Sequence, residues 1–96
     1  ESFTALINKD STNASYFYNR AVVYVNIDRN EEAEKDLSFA LSLKPKNLSE
    51  ILNLRGIARY NQKKFNEACF DWQQSGNIGN IEGKNNLNTY CEKTNE

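Results

Sequence analysis

The 96-residue chain has no histidine, no methionine, one proline, four glycines and two cysteines. Without histidine there is no imidazole to serve as base, proton shuttle or metal ligand near neutral pH. The two cysteines, Cys69 and Cys91, are too few and too far apart for a thiolate zinc site. No run approaches the ~20 apolar residues that a membrane-spanning helix needs. A formal net charge of -1 gives no reason to expect nucleic acid or an anionic membrane as a partner. Nor is there a nucleophile–base pair or a phosphate-binding loop, so neither catalysis nor a cofactor is expected. A start at Glu1 with no methionine anywhere leads us to expect a piece of a longer product. No signal-peptide pattern is seen, and the compartment cannot be read from the sequence.

What is present is helical periodicity. Phe3, Leu6 and Ile7 have helical spacing and suggest the last turns of an upstream helix over residues 1–10. Asn13 then suits an N-cap, and Phe17, Ala21, Tyr24 and Val25 fall on one stripe of a helix from Ala14 to about Ile27. After a tight turn around Asp28–Asn30, with Asn30 as N-cap, a second helix carries Ala33, Leu37, Ala40 and Leu41 inward and stops before Pro45. Asn47 and Glu50 have capping-box spacing at the start of a third helix, Leu48 to Gln62. A fourth holds Ala68, Cys69, Trp72 and Ser75, with Gly76 at its C′ position. A fifth runs from about Ile81 to Lys93, with Gly83, Leu87, Tyr90 and Cys91 on one face. The expected fold is all-α, with short loops and no strand.

Much of the first helix pair recurs 35 residues later: Phe17/Leu52, Arg20/Arg55, Ala21/Gly56, Ala33/Ala68, Asp36/Asp71 and Leu37/Trp72. A period of this size means stacked units, each unable to bury its apolar face alone. The residues Phe17-x-x-Arg20-Ala21-x-x-Tyr24, Ala33-x-x-x-Leu37 and Pro45 resemble the tetratricopeptide repeat, with arginine where that family has leucine. Leu52-x-x-Arg55-Gly56 and Ala68-x-x-x-Trp72 form a second copy, in which the tyrosine is displaced to Tyr60 and Ser75 and Gly76 replace alanine and proline. The resemblance implies antiparallel helical hairpins stacked as a short right-handed α-solenoid of about five helices. It divides the chain into repeats at 14–46 and 48–76 and a capping helix at 80–93, within a single domain.

The expected function is a non-catalytic protein–protein interaction module that holds a peptide or partner protein on its concave face. The alternative is a structural or capping fragment of a longer array, or a self-association module. In such a stack the first helix of each pair lines the concave side. That face would present Tyr18, Asn19, Val22 and Asn26 from the first helix, and Glu50, Asn53, Leu54, Ile57 and Asn61 from the third. With one charge among them, the groove reads as uncharged and suited to apolar anchors. Asn19 matches one asparagine of the family's carboxylate clamp, but Glu50 and Leu54 stand where basic residues are needed, which argues against an acidic-tail ligand. Arg20 and Arg55 each precede an aspartate, Asp36 and Asp71, by the same interval. An arginine in a helix interface is costly unless paired, so an interhelical ion pair is expected, either within each repeat or from Arg55 to Asp36 across the boundary. Cys69 and Cys91 are expected on touching helices, close enough for a disulfide yet equally suited to remain buried thiols.

Overall fold

Asn13 opens the first helix: its side-chain oxygen accepts a hydrogen bond from the Ser15 amide at 3.0 Å, satisfying one of the free amides of the first turn. The computed structural model describes residues 13–91. The expected helix end within 1–10 and the stretch 92–93 lie outside those residues. The described chain is all-α: α1 (Ala14–Asn26), α2 (Asn30–Ser42), α3 (Leu48–Asn61), α4 (Phe65–Asn77) and α5 (Ile81–Tyr90), with no strand among the described residues.

The turns repeat as the helices do. Asp28 and Lys63, 35 positions apart, take left-handed φ values of 65° and 67°. In each case the next residue's amide closes onto the preceding helix, Arg29 onto the Tyr24 carbonyl at 2.7 Å and Lys64 onto the Arg59 carbonyl at 2.9 Å. After α4 a glycine takes this role: Gly79 has φ 103°, and the Asn80 amide closes onto the Ser75 carbonyl at 3.1 Å.

Several expected helix ends are corrected. Asn30 is the first residue of α2 rather than its cap, and its side chain is spent on Asp28 and Asn61. Asn47 holds the N-cap position of α3 without a side-chain capping bond, so the capping box with Glu50 does not form. Gly76 lies inside α4, where the Lys84 backbone of α5 approaches the place of a Cβ to 3.2 Å; its smallness serves packing, not termination. The end of α2 is as expected, at Ser42 before Pro45, with Lys44 in between at a left-handed φ of 55°.

Each helix packs on the next in sequence. Beyond that, α1 touches α3 and α3 touches α5, whereas α2 and α4 do not touch. The odd-numbered helices therefore crowd one side of an elongated body of 49 × 25 × 17 Å. One core cluster joins Phe17 and Ala21 of α1, Ala33, Leu37 and Ala40 of α2, and Ile51 and Ala58 of α3. A second gathers Ala68 and Trp72 of α4 with Cys91. Ala21, Ala33 and Ala68 are fully buried at the crossings, where only small side chains let helix axes approach to ~8–10 Å. At Gly56 the neighbour is the Trp72 indole, whose Nε1 would lie 2.5 Å from an added Cβ. The same indole donates to the Asn53 carbonyl at 3.2 Å, which fixes its orientation.

α5 is bound to α4 by a disulfide between Cys69 and Cys91, with Cα atoms 5.9 Å apart. Closing a loop across 22 residues restricts the unfolded chain and is worth about 3 kcal/mol in the chain-entropy account. Substituting Gly56 with Ala should drive a methyl into the hydrogen-bonded indole and destabilise the protein by about 1–3 kcal/mol. Chemical denaturation of Gly56→Ala against the parent checks this; an unchanged midpoint would mean that the indole is free to move.

Candidate functional site

Two kinds of site emerge: a ladder of ion pairs between the helices and a groove on the odd-helix side. In the first hairpin Arg20 of α1 forks onto Asp36 of α2, with Nε to Oδ2 at 2.8 Å and Nη2 to Oδ1 at 2.7 Å. Its guanidinium also lies over the rings of Phe17 and Tyr24, 5.9 and 5.6 Å from their centroids. In the second hairpin Arg55 of α3 makes the same fork onto Asp71 of α4, both bonds 2.9 Å. Both forks run within a hairpin. Across the boundary Arg55 reaches Ser38, whose hydroxyl accepts from Nη1 at 3.0 Å, not Asp36.

The second fork sits at the centre of a wider network that sequence reasoning missed. Arg59 occupies the position that Tyr24 holds in the first hairpin, 35 residues earlier. It donates to Asp71 at 3.1 Å and to Glu34 of α2 at 2.8 Å. Glu34 accepts further bonds from Gln62 at 2.9 Å and Lys64 at 3.0 Å. Charges thus alternate from Arg55 through Asp71, Arg59 and Glu34 to Lys64. Burial alone would push the Glu34 carboxyl up, but hydrogen bonds from Arg59, Lys64 and Gln62 outweigh it and hold it at about 2, against an ordinary 4.5. For Arg59 burial works against the charge, and Glu34 and Asp71 reverse that and raise its pKa. The signal that was available is the loss of the tyrosine at position 59 in favour of a second arginine.

The residues expected to meet a partner do not form one surface. Tyr18, Glu50 and Asn53 line a groove of about 450 Å³ together with Ser49 and the segment 78–82. Ile57 and Asn61 line a separate hollow of about 310 Å³ with Tyr60, Trp72, Asn86 and Tyr90. Asn19 and Asn26 are exposed on α1, while Val22 is half-buried. Leu54 is half-buried against the first core cluster. Asn53, though in the groove lining, is only 7% exposed and accepts a hydrogen bond from Asn86 of α5 at 3.0 Å. The expectation of one charge in the groove is also corrected. The turn after α4 brings Glu82 to the same groove as Glu50, with Ile78 and Ile81 exposed beside them. Burial, then the nearby carboxylates of Glu50 and Glu82, raise the pKa of the Tyr18 hydroxyl. Two isoleucines flanking a Gly-Asn turn were the visible sign of this in the sequence.

Among the described residues no group of three or more His, Cys, Asp or Glu side chains is placed to hold a metal ion, and no helix is long and apolar enough to cross a membrane. Compared with known families and curated proteins, the chain matches no family model and no curated protein.

The depressed pKa of Glu34 has a consequence with a definite sign. Its contribution to stability is fully present above 4.5 and is lost as pH falls from there through about 2. Glu34→Gln should therefore melt below the parent at neutral pH, with the gap closing as the pH is lowered through that window. Parallel thermal melts across the range check it; a gap that stays constant would show that the carboxylate's charge is not what the network uses.

Proposed function

We propose that this chain is a non-catalytic protein–protein interaction module of the tetratricopeptide-repeat kind. Its hairpins stack as a short solenoid, and a peptide or partner segment lies on the side lined by α1, α3 and α5. The observation that carries the reading is the exactness of role at a 35-residue offset: Arg20–Asp36 and Arg55–Asp71 make the same bidentate fork. Ala21 and Gly56, Ala33 and Ala68, and Leu37 and Trp72 are likewise buried in matching places. The contacts of α3 with α1 and α5, absent between α2 and α4, support a stack that curves towards its odd helices. A surface that curves inward while keeping Tyr18 and two isoleucines accessible suits an extended or helical segment.

One observation favours the structural alternative. Val23 and Ile27 of α1 are 44% and 55% exposed, whereas Ile51 and Ala58 of α3 are fully buried against the first hairpin. Val23 stands 35 residues before Ala58, so on this reading the α1 side is where a further repeat or a second copy would pack. Sedimentation at rising concentration separates the two readings. The interaction reading predicts that Tyr18→Ala weakens capture of groove-selected display peptides by about tenfold, the scale of an aromatic anchor, with little change in melting temperature. Equal capture by variant and parent would remove the groove as the site.

A further inference from the structure

The groove has a charge of its own. Glu50 of α3 and Glu82 of α5 line it with Tyr18, and among the described residues no lysine or arginine does. Elsewhere the acidic residues that bridge helices are paired: Asp36 to Arg20, Asp71 to Arg55 and Arg59, Glu34 to Arg59 and Lys64. Glu50 and Glu82 are exposed, and neither belongs to any ion pair found among the described residues. Their joint field reaches the Tyr18 hydroxyl, where both act in the same direction. Ile78 and Ile81, 52% and 74% exposed, stand on the same rim. Two unneutralised carboxylates beside two accessible isoleucines are complementary to a cation carried between aliphatic side chains.

We infer that the groove takes a cationic segment of a partner protein, with a lysine or arginine between Glu50 and Glu82 and flanking aliphatic residues on Ile78 and Ile81. This rests on the reading of the odd-helix side as the interaction surface. It inverts the acidic-tail ligand of a carboxylate clamp, because the carboxylates here belong to the receptor. The turn after α4 and the first two residues of α5 supply one wall of the groove, Ile78 to Glu82, so the disulfide that holds α5 to α4 also holds that wall in place.

The test uses the intact protein and three capped octapeptides that differ only at a central residue, lysine, glutamine or glutamate, between paired leucines. Binding is followed by fluorescence anisotropy at low and high ionic strength. The lysine peptide should bind about tenfold more tightly than the glutamate peptide, with the preference shrinking at high salt. In the double variant Glu50→Gln/Glu82→Gln the preference should vanish. Each glutamate also lies in the first turn of its helix, so a melting curve accompanies the variant, and the salt dependence of the parent stands as the independent readout. Equal binding of all three peptides, weakened by Tyr18→Ala, would keep the surface and overturn the cationic inference. Binding of none would overturn both. Self-association of the protein that Tyr18→Ala abolishes would put a second copy in the groove, and would also overturn it.

Discussion

Asp71 is a carboxylate with no access to water, and the way two hairpins sit on each other depends on how it is satisfied. An isolated buried charge costs several kcal/mol, yet Asp71 accepts three hydrogen bonds from two guanidinium groups, with its side chain fully buried. Two arginines on one aspartate would leave excess positive charge. Glu34, reaching in from α2, supplies the missing negative charge through Arg59. The second hairpin thus closes its own fork and borrows a carboxylate from the first. A buried ion pair is weak evidence for net stability; here its physical content is register, because only one placement of α3 on α2 brings Glu34, Arg59 and Asp71 into line.

The first fork is simpler because less is asked of it. Asp36 meets Arg20 alone among the ion pairs, and the arginine side chain keeps 22% of its surface exposed. Phe17 and Tyr24 share its guanidinium through their ring faces, an interaction worth about 0.5–1 kcal/mol at an exposed site. Exchanging Tyr24 for Arg59 at the equivalent position puts a second guanidinium on the aspartate and extends the fork into a network that spans three helices. Position 34 and its counterpart 69 do parallel work by different chemistry. Glu34 ties α2 to the following odd helix through charge, and Cys69 ties α4 to α5 through a covalent bond.

How far the sequence could be read follows from which physics is local. Five helices in an all-α order were legible because apolar residues recur at helical spacing around small residues such as Ala21, Ala33 and Ala68. The intervals from Arg20 to Asp36 and from Arg55 to Asp71 were visible as a recurrence. Arg59 and Glu34 were not, because their partnership joins residues 25 apart across a boundary that no period marks. Caps failed where side chains had tertiary uses: Asn30 binds Asp28 and Asn61 rather than its own helix. The groove was the least legible part. Glu50 and Glu82 are distant in sequence, and only the turn through Gly79 brings α5 round to place them on one rim.

The dependence of the stack on Asp71 is tested most directly by comparing two matched substitutions, Asp71→Ala and Asp36→Ala, in equilibrium denaturation. Removing Asp71 leaves the Arg55 guanidinium without a carboxylate and Arg59 with Glu34 alone, and losing one partner of a buried pair in this way costs about 3–5 kcal/mol. Removing Asp36 leaves a partly exposed arginine over two aromatic rings and should cost clearly less. Equal losses, or a larger loss at Asp36, would contradict the account and make the two forks interchangeable ornaments of the same repeat.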